Sequence, residues 1–148
     1  MSDLARNRKA TFDYEILDTF EAGLVLTGHE VKAIRNGKLK LEGSHVVVRG
    51  GEVFLVGTNI APYQPANAPK DYDPERTITL LLNHKEVAQL EAKSEQRGLT
   101  IAPIRCYNKA GKIKLEIAIV RGKKKQDKRE TIKARDVKRD IERTLKNQ

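Results

Sequence analysis

The residues in this chain whose number and spacing could do chemistry are its lysines and arginines, and that chemistry is the holding of phosphate. Between Arg121 and Gln148, reading RGKKKQDKRETIKARDVKRDIERTLKNQ, twelve Lys or Arg face five acids, a net +7, whereas the first 120 residues carry only +2 of the total +9. Ammonium and guanidinium groups neutralise phosphates without reading sequence, and they do so well from arms that follow a groove. The run Gly122, Lys123, Lys124 and Lys125 sets a dense positive patch where this arm leaves the body. Other chemistries lack their residues. His29, His45 and His84 stand apart without ligand spacing, and neither CxxC nor HExxH occurs. No Gly-rich loop joins a strand to a helix, and no Ser or Cys has a base placed beside it in sequence. The pattern predicts an anionic partner and no catalytic residue, metal, cofactor or small-molecule substrate.

The elements that must carry this charge fit one domain, since 148 residues can bury one self-sufficient core and two would be cramped. No apolar run approaches the roughly 20 residues that span a bilayer, and MSDLARNRKA lacks the apolar stretch of a secretory leader. A cytoplasmic protein without a membrane partner is expected. Cys106, the single cysteine, lies in an apolar run and reads as a small buried hydrophobe.

Residues 1–11 show no periodicity and are expected to form a flexible basic arm containing Arg8 and Lys9. Tyr14 to Leu26 alternates apolar and polar residues as one long strand, with Gly23 as its candidate bend or bulge. Thr27 and Glu30 have capping-box spacing; the helix they open turns Val31 and Ile34 inward and Lys32 and Arg35 outward, and Asn36-Gly37 ends it. Residues 44–49 and 52–58 flank Gly50-Gly51, a strong hairpin signal. Four of the five prolines fall at 62, 65, 69 and 74, in a loop longer than a turn needs. Arg76 to Leu82 reads as a strand ending in a buried leucine run. Asn83 caps a helix over 84–97 that buries Val87 and Leu90 and ends at Gly98. Leu99 to Tyr107 and Lys112 to Val120 form a second hairpin around residues 108–111, with Ile113, Leu115, Ile117 and Ile119 on one face and Lys112, Lys114, Glu116 and Ala118 on the other.

About six strands, two or three short helices and no βαβ rhythm predict a mainly β fold, a small closed or partly closed antiparallel barrel over 12–121, because closure removes exposed edges. Residues 122–148 form the basic tail. Within it Asp127 and Glu130 stand at capping-box spacing, and Ile132, Val137, Ile141 and Leu145 trace one narrow stripe. Such a helix is marginal alone, so the tail is expected to be disordered when free and helical when bound.

The blocks Asn7-Arg-Lys-Ala10, Phe20-Glu-Ala-Gly-Leu-Val-Leu-Thr-Gly28, Glu30-Val-Lys-Ala-Ile-Arg35 with Gly37-Lys38, Asn59-Ile60, Asp73-Pro74, Leu80-Leu-Leu82 and Gly122-Lys-Lys124 followed by Asp127-Lys-Arg129 run in order along almost the whole chain. In these the chain resembles the small protein B (SsrA-binding protein) family of bacterial trans-translation. The resemblance implies an OB-like barrel with accessory helices that binds the tRNA-like part of transfer-messenger RNA and enters a stalled ribosome, where the tail occupies the empty mRNA channel. It implies a monomer on one RNA, with no catalysis of its own.

Carried over by position, the RNA-binding set is Asn7, Glu21, Leu81, Gly122, Lys123 and Lys124, beside Arg8, Lys9 and Lys125; Lys32 and Arg35 join it from helix phase. Glu21 can accept from a base amine or a 2′-hydroxyl and would be repelled by phosphate. Leu81 is either an apolar platform or core support. The ribosome-facing set is Asp127, Lys128 and Arg129, then Lys133, Arg135, Lys138 and Arg139, with Ile132, Val137, Ile141 and Leu145 as the docking stripe. Gln126 stands where the family usually has an aromatic residue or His. The competing reading is a ribosomal or general RNA-binding barrel with a basic extension.

Overall fold

A computed structural model of the chain describes residues 3–122. The predicted Lys123, Lys124, Lys125 and the whole ribosome-facing set from Asp127 to Leu145 lie outside the described residues. The body is the expected mainly β, small antiparallel barrel. Its strands are β1 (Asp3–Arg6), β2 (Tyr14–Leu24), β3 (Leu39–Lys40), β4 (His45–Arg49), β5 (Glu52–Val56), β6 (Asn59–Ile60), β7 (Ile78–Leu81), β8 (Leu99–Lys109) and β9 (Lys112–Gly122). The helices are α1 (Arg8–Asp13), α2 (Gly28–Arg35) and α3 (His84–Ser94), with a 3-10 turn at Pro65–Asn67. Strands β8, β4, β5, β7, β2 and β9 pair in that order, and β9 returns to β8 to close the ring. The seams are short: β4 meets β8 at Val46 and Ile101, and β2 meets β7 at Gly23 and Leu24. The long ladders of β9 with β8 and β2 make one continuous wall.

Local sequence dictates much of this. Gly50 and Gly51 both take positive φ, +59° and +79°, which a primed two-residue turn demands and which L side chains resist. Two complete capping boxes open α2 and α3: Thr27 and Asn83 accept from the amides of Glu30 and Glu86, whose carboxylates return to the cap amides. Alternation along β9 sends Leu115, Ile117 and Ile119 into a core shared with Phe20, Leu55, Ile78 and Leu90. Cys106 is buried, and burial pushes its thiol up to about 12, so it packs as a hydrophobe.

Four expectations change. The flexible arm at 1–11 is instead folded from Asp3 onward: β1 extends the edge of β8 beyond β4, Leu4 and Ala5 pack on the core, and Asp3 pairs with Arg105 at 2.8 Å. The bulge in β2 sits between Ile16 and Asp18, and at Gly23 the strand pairs with both Leu81 and Lys114. The β8–β9 turn is tighter than residues 108–111, with Ala110 and Gly111 at φ +51° and +77°. Ala118 is fully buried, because α1 covers that end of the sheet's outer face, packing Ala10 against Ala102, Ala118 and Val120.

Candidate nucleic-acid interface

Because side chains alternate across a sheet, the outward positions of the β8–β9–β2 wall form one strip. The register fixes its members: Glu21 lies beside Glu116, Arg105 also beside Glu116, Tyr107 beside Lys114, and Lys109 beside Lys112. At its centre Tyr107 is buried under the Arg105 guanidinium, whose carbon sits 4.2 Å from the ring centroid. The Tyr107 hydroxyl donates to Glu21 Oε2, and Lys109 Nζ reaches the same carboxylate at 3.1 Å. The Tyr107 hydrogen bond, then that from Lys109, hold the Glu21 carboxyl below its usual range, so it is ionised at neutral pH. Arg105 is held in turn by Asp3 at 2.8 Å and Glu116 at 3.5 Å. Glu21 is therefore a fixed acceptor in a mostly basic strip.

Towards the β8–β9 turn the strip ends in a groove of about 320 Å³ that brings Arg35 and Leu81 together with Lys112 and Lys114. Arg35 donates to the Gly111 carbonyl at 2.9 Å, tying the end of α2 to the turn. Leu81 is 59% exposed, whereas its neighbour Leu80 is 4% exposed, so the leucine run is not uniformly buried. Leu81 leans over Gly23, where an added Cβ would stand 3.4 Å from its own Cβ. Lys32 is exposed on α2 but does not line this groove.

At the opposite end Gly122 closes β9, paired with Tyr14 and exposed. Arg8 and Lys9 are exposed on α1 nearby, but Asn7 is buried. The Asn7 Nδ2 donates to the Pro103 carbonyl at 2.9 Å, its Oδ1 accepts from the Ala10 amide at 3.2 Å, and its own amide bonds Ile104 at 2.8 Å. Those bonds make it the cap that presents Arg8 and Lys9. Sequence reasoning left Arg105, Tyr107, Lys109, Lys112 and Lys114 out of the site; the alternation of β9 marked Lys112 and Lys114 as outward, while nothing local marked Tyr107.

The long proline loop is fastened to α2. Arg76 clamps Glu30 through two bonds, 2.7 and 3.1 Å, and donates to the Val25 carbonyl at 3.0 Å. Burial raises the Glu30 carboxyl, but the Arg76 bonds and the Thr27 amide outweigh it, and the net direction is down. Tyr72 bonds the Ile60 carbonyl at 2.6 Å, and its ring meets His29 edge-on at 4.8 Å. This clasp fixes the approach to β7 and so the placement of Leu81. Among the described residues no three His, Cys, Asp or Glu gather to hold a metal, and no helix is long and apolar enough to cross a membrane.

Comparison with known proteins agrees with this geometry. An SsrA-binding protein of Rubrobacter xylanophilus is 50% identical over 147 residues, 99% of this chain and 97% of the relative. An SsrA-binding protein of Trichormus variabilis is 47% identical over 141 residues, 95% of this chain and 91% of the relative. A solved structure described as "tmRNA-SmpB: a journey to the center of the bacterial ribosome" has a TM-score of 0.67 at 41% identity, covering 86% of this chain and 92% of that one. The family model described as SmpB protein matches residues 4–147, and the chain belongs to the SmpB family.

Proposed function

We infer that this protein binds SsrA RNA, the transfer-messenger RNA, and acts with it on the ribosome in trans-translation. It is an RNA-binding protein that catalyses nothing itself; what it supplies is a shaped, charged surface. The observation that carries the reading at residue level is the strip on the β8–β9–β2 wall, where Lys112, Lys114 and Arg35 gather around exposed Leu81, and Tyr107 and Lys109 hold an ionised Glu21 beside them. Cations on such a face attract the backbone, Leu81 offers an apolar platform to a base, and Glu21 accepts from a base amine or a 2′-hydroxyl. Arg8, Lys9, Gly122, Lys123, Lys124 and Lys125 extend the surface at the far end, and Asn7 contributes by holding Arg8 and Lys9 in place. Lys32 stays outside the groove and is a peripheral phosphate contact.

The tail from Asp127 is assigned to the ribosome: Asp127, Lys128 and Arg129 open it, the later bases meet rRNA, and the apolar stripe docks as a helix in the empty mRNA channel. The protein works in the cytoplasm as one copy on one RNA. Sequencing the RNA that copurifies with the full chain and with a chain ending at Gln126 tests both assignments. Transfer-messenger RNA enriched over bulk tRNA by both chains, with peptide tagging on stalled ribosomes lost only in the shortened one, is the expected result. Equal recovery of bulk tRNA would favour a general RNA-binding barrel, and loss of RNA by the shortened chain would end the division of labour.

A further inference from the structure

The outer face of the same wall carries a second and larger concavity, about 830 Å³, where α1 stands over the sheet. Its lining joins the apolar side chains of Phe12, Ile16 and Ile104 to the bases Arg6, Arg8 and Lys9, with Glu116, paired to Arg105, as its one carboxylate. Ile16 is 39% exposed and borders exposed Leu17 at the bulge, so the strand itself opens an apolar patch here. Arg8 and Lys9 form no ion pair among the described residues. The far wall is Arg105, the residue that also stacks on Tyr107 and so joins this groove to the Glu21 strip.

We propose that this groove holds one unstacked nucleotide of single-stranded RNA, its base on Ile16 and Ile104 and its phosphate against Arg8 and Lys9. The proposal rests on the RNA-binding reading above and adds a subsite to it. Charge complementarity selects a polyanion, and the apolar lining selects one with a base free to leave its stack. A duplex presents a convex surface of phosphates and sugars, which suits the open strip but leaves a recessed apolar lining uncovered. Continuity through Arg105 lets an unpaired nucleotide enter the groove while its neighbours stay on the strip.

The test adds hexaadenylate, and separately a blunt RNA duplex of matching length, to the full chain carrying labelled isoleucine methyl groups. Hexaadenylate should move the Ile16 and Ile104 methyl signals and the duplex should leave them in place. Ile16→Ser should weaken hexaadenylate binding roughly fivefold to tenfold and leave duplex affinity unchanged, in line with the worth of one base platform. Lys9→Ala, an exposed substitution, should weaken hexaadenylate binding in the same direction and serves if Ile16→Ser lowers stability. Hexaadenylate binding with both methyl signals unmoved, or equal movement with the duplex, would overturn the subsite while leaving RNA binding standing. No binding of hexaadenylate would overturn the subsite alone, and no binding of transfer-messenger RNA by the same chain would overturn the underlying reading as well.

Discussion

Leu81→Ala separates an RNA platform from a core residue, and the neighbouring leucine supplies the control. Fully burying a leucine is worth about 2 kcal/mol. Leu81 keeps 59% of its surface in the free protein, so RNA that covers it gains about 1.2 kcal/mol, and folding has already gained about 0.8 kcal/mol. Truncation to Ala should therefore raise Kd for transfer-messenger RNA about sevenfold. It should lower Tm by only about 3 °C, at about 4 °C per kcal/mol for a chain of this size. Leu80, 4% exposed, should behave oppositely: Leu80→Ala costs about 2–5 kcal/mol of folding, a Tm loss of about 8–20 °C, while the folded fraction binds RNA normally. Filter binding at fixed salt and calorimetric melts measure both. A large Tm loss for Leu81→Ala with unchanged affinity would make Leu81 core support, and the groove beside it would lose its apolar contact.

Arg76→Met tests the clasp. Glu30 is 2% exposed and would be left without its cation, but Arg76 itself is 38% exposed, so screening brings the expected cost to about 2–3 kcal/mol, below that of a wholly buried pair. Glu30 has a depressed folded pKa, so its contribution is present above the unfolded value, 4.5, and is lost as pH falls through the folded one. In Arg76→Met burial is opposed only by the Thr27 hydrogen bonds, so the Glu30 carboxyl rises and protonation relieves the buried charge. The Tm gap between the two proteins should narrow from pH 7 to pH about 4; a gap independent of pH would count against the clasp. Tyr107→Phe removes the hydroxyl that holds Glu21 and should raise the Glu21 carboxyl towards its ordinary range in a carbon-13 titration, with RNA affinity down about threefold and Tm nearly unchanged. An unmoved Glu21 titration would show that Lys109 alone fixes the acceptor.

What could be read from the sequence was what a few neighbouring residues decide. Thr27 with Glu30, Asn83 at its helix start, and Gly50 with Gly51 each specify a cap or turn within four residues, and each forms as expected, with Glu86 completing the box at Asn83. What could not be read depends on partners far along the chain. β1 has no pattern of its own in four residues; it exists because Asp3 and Leu4 find Arg105 and the core about a hundred residues later. The exposure of Leu81 within Leu80-Leu81-Leu82 follows from which strand lies beside it, since β7 meets β2 at Gly23 and leaves that side uncovered. Of the site, the resemblance supplied Glu21 and Leu81 and helix phase supplied Arg35, while Tyr107 and Arg105 became visible only through the register of β8 on β9.

The near-neutral body hides an asymmetry that bears on how it meets RNA. A domain with +2 over 120 residues looks poorly suited to a polyanion, yet the carboxylates on the wall are already spent. Asp3 is bonded by Arg6 and Arg105, Glu116 faces Arg105, Glu21 is held by Lys109, and Glu15 pairs with Arg121. Lys112 and Lys114 at one end of β9 and Arg8 and Lys9 on α1 at the other form no ion pair among the described residues. Ala10 of α1 packs on Ala118, so six residue steps of hydrogen-bonded strand, about 20 Å, run from Lys112 to the place where α1 sits. A rigid ladder thus holds two cationic groups at a fixed spacing around a centre where Glu21, bonded by Tyr107 and Lys109 but with carboxylate lone pairs to spare, accepts further hydrogen-bond donors and repels phosphate. RNA shape, rather than charge alone, decides what this wall accepts: the backbone must reach both groups while a base edge or a 2′-hydroxyl comes to the middle.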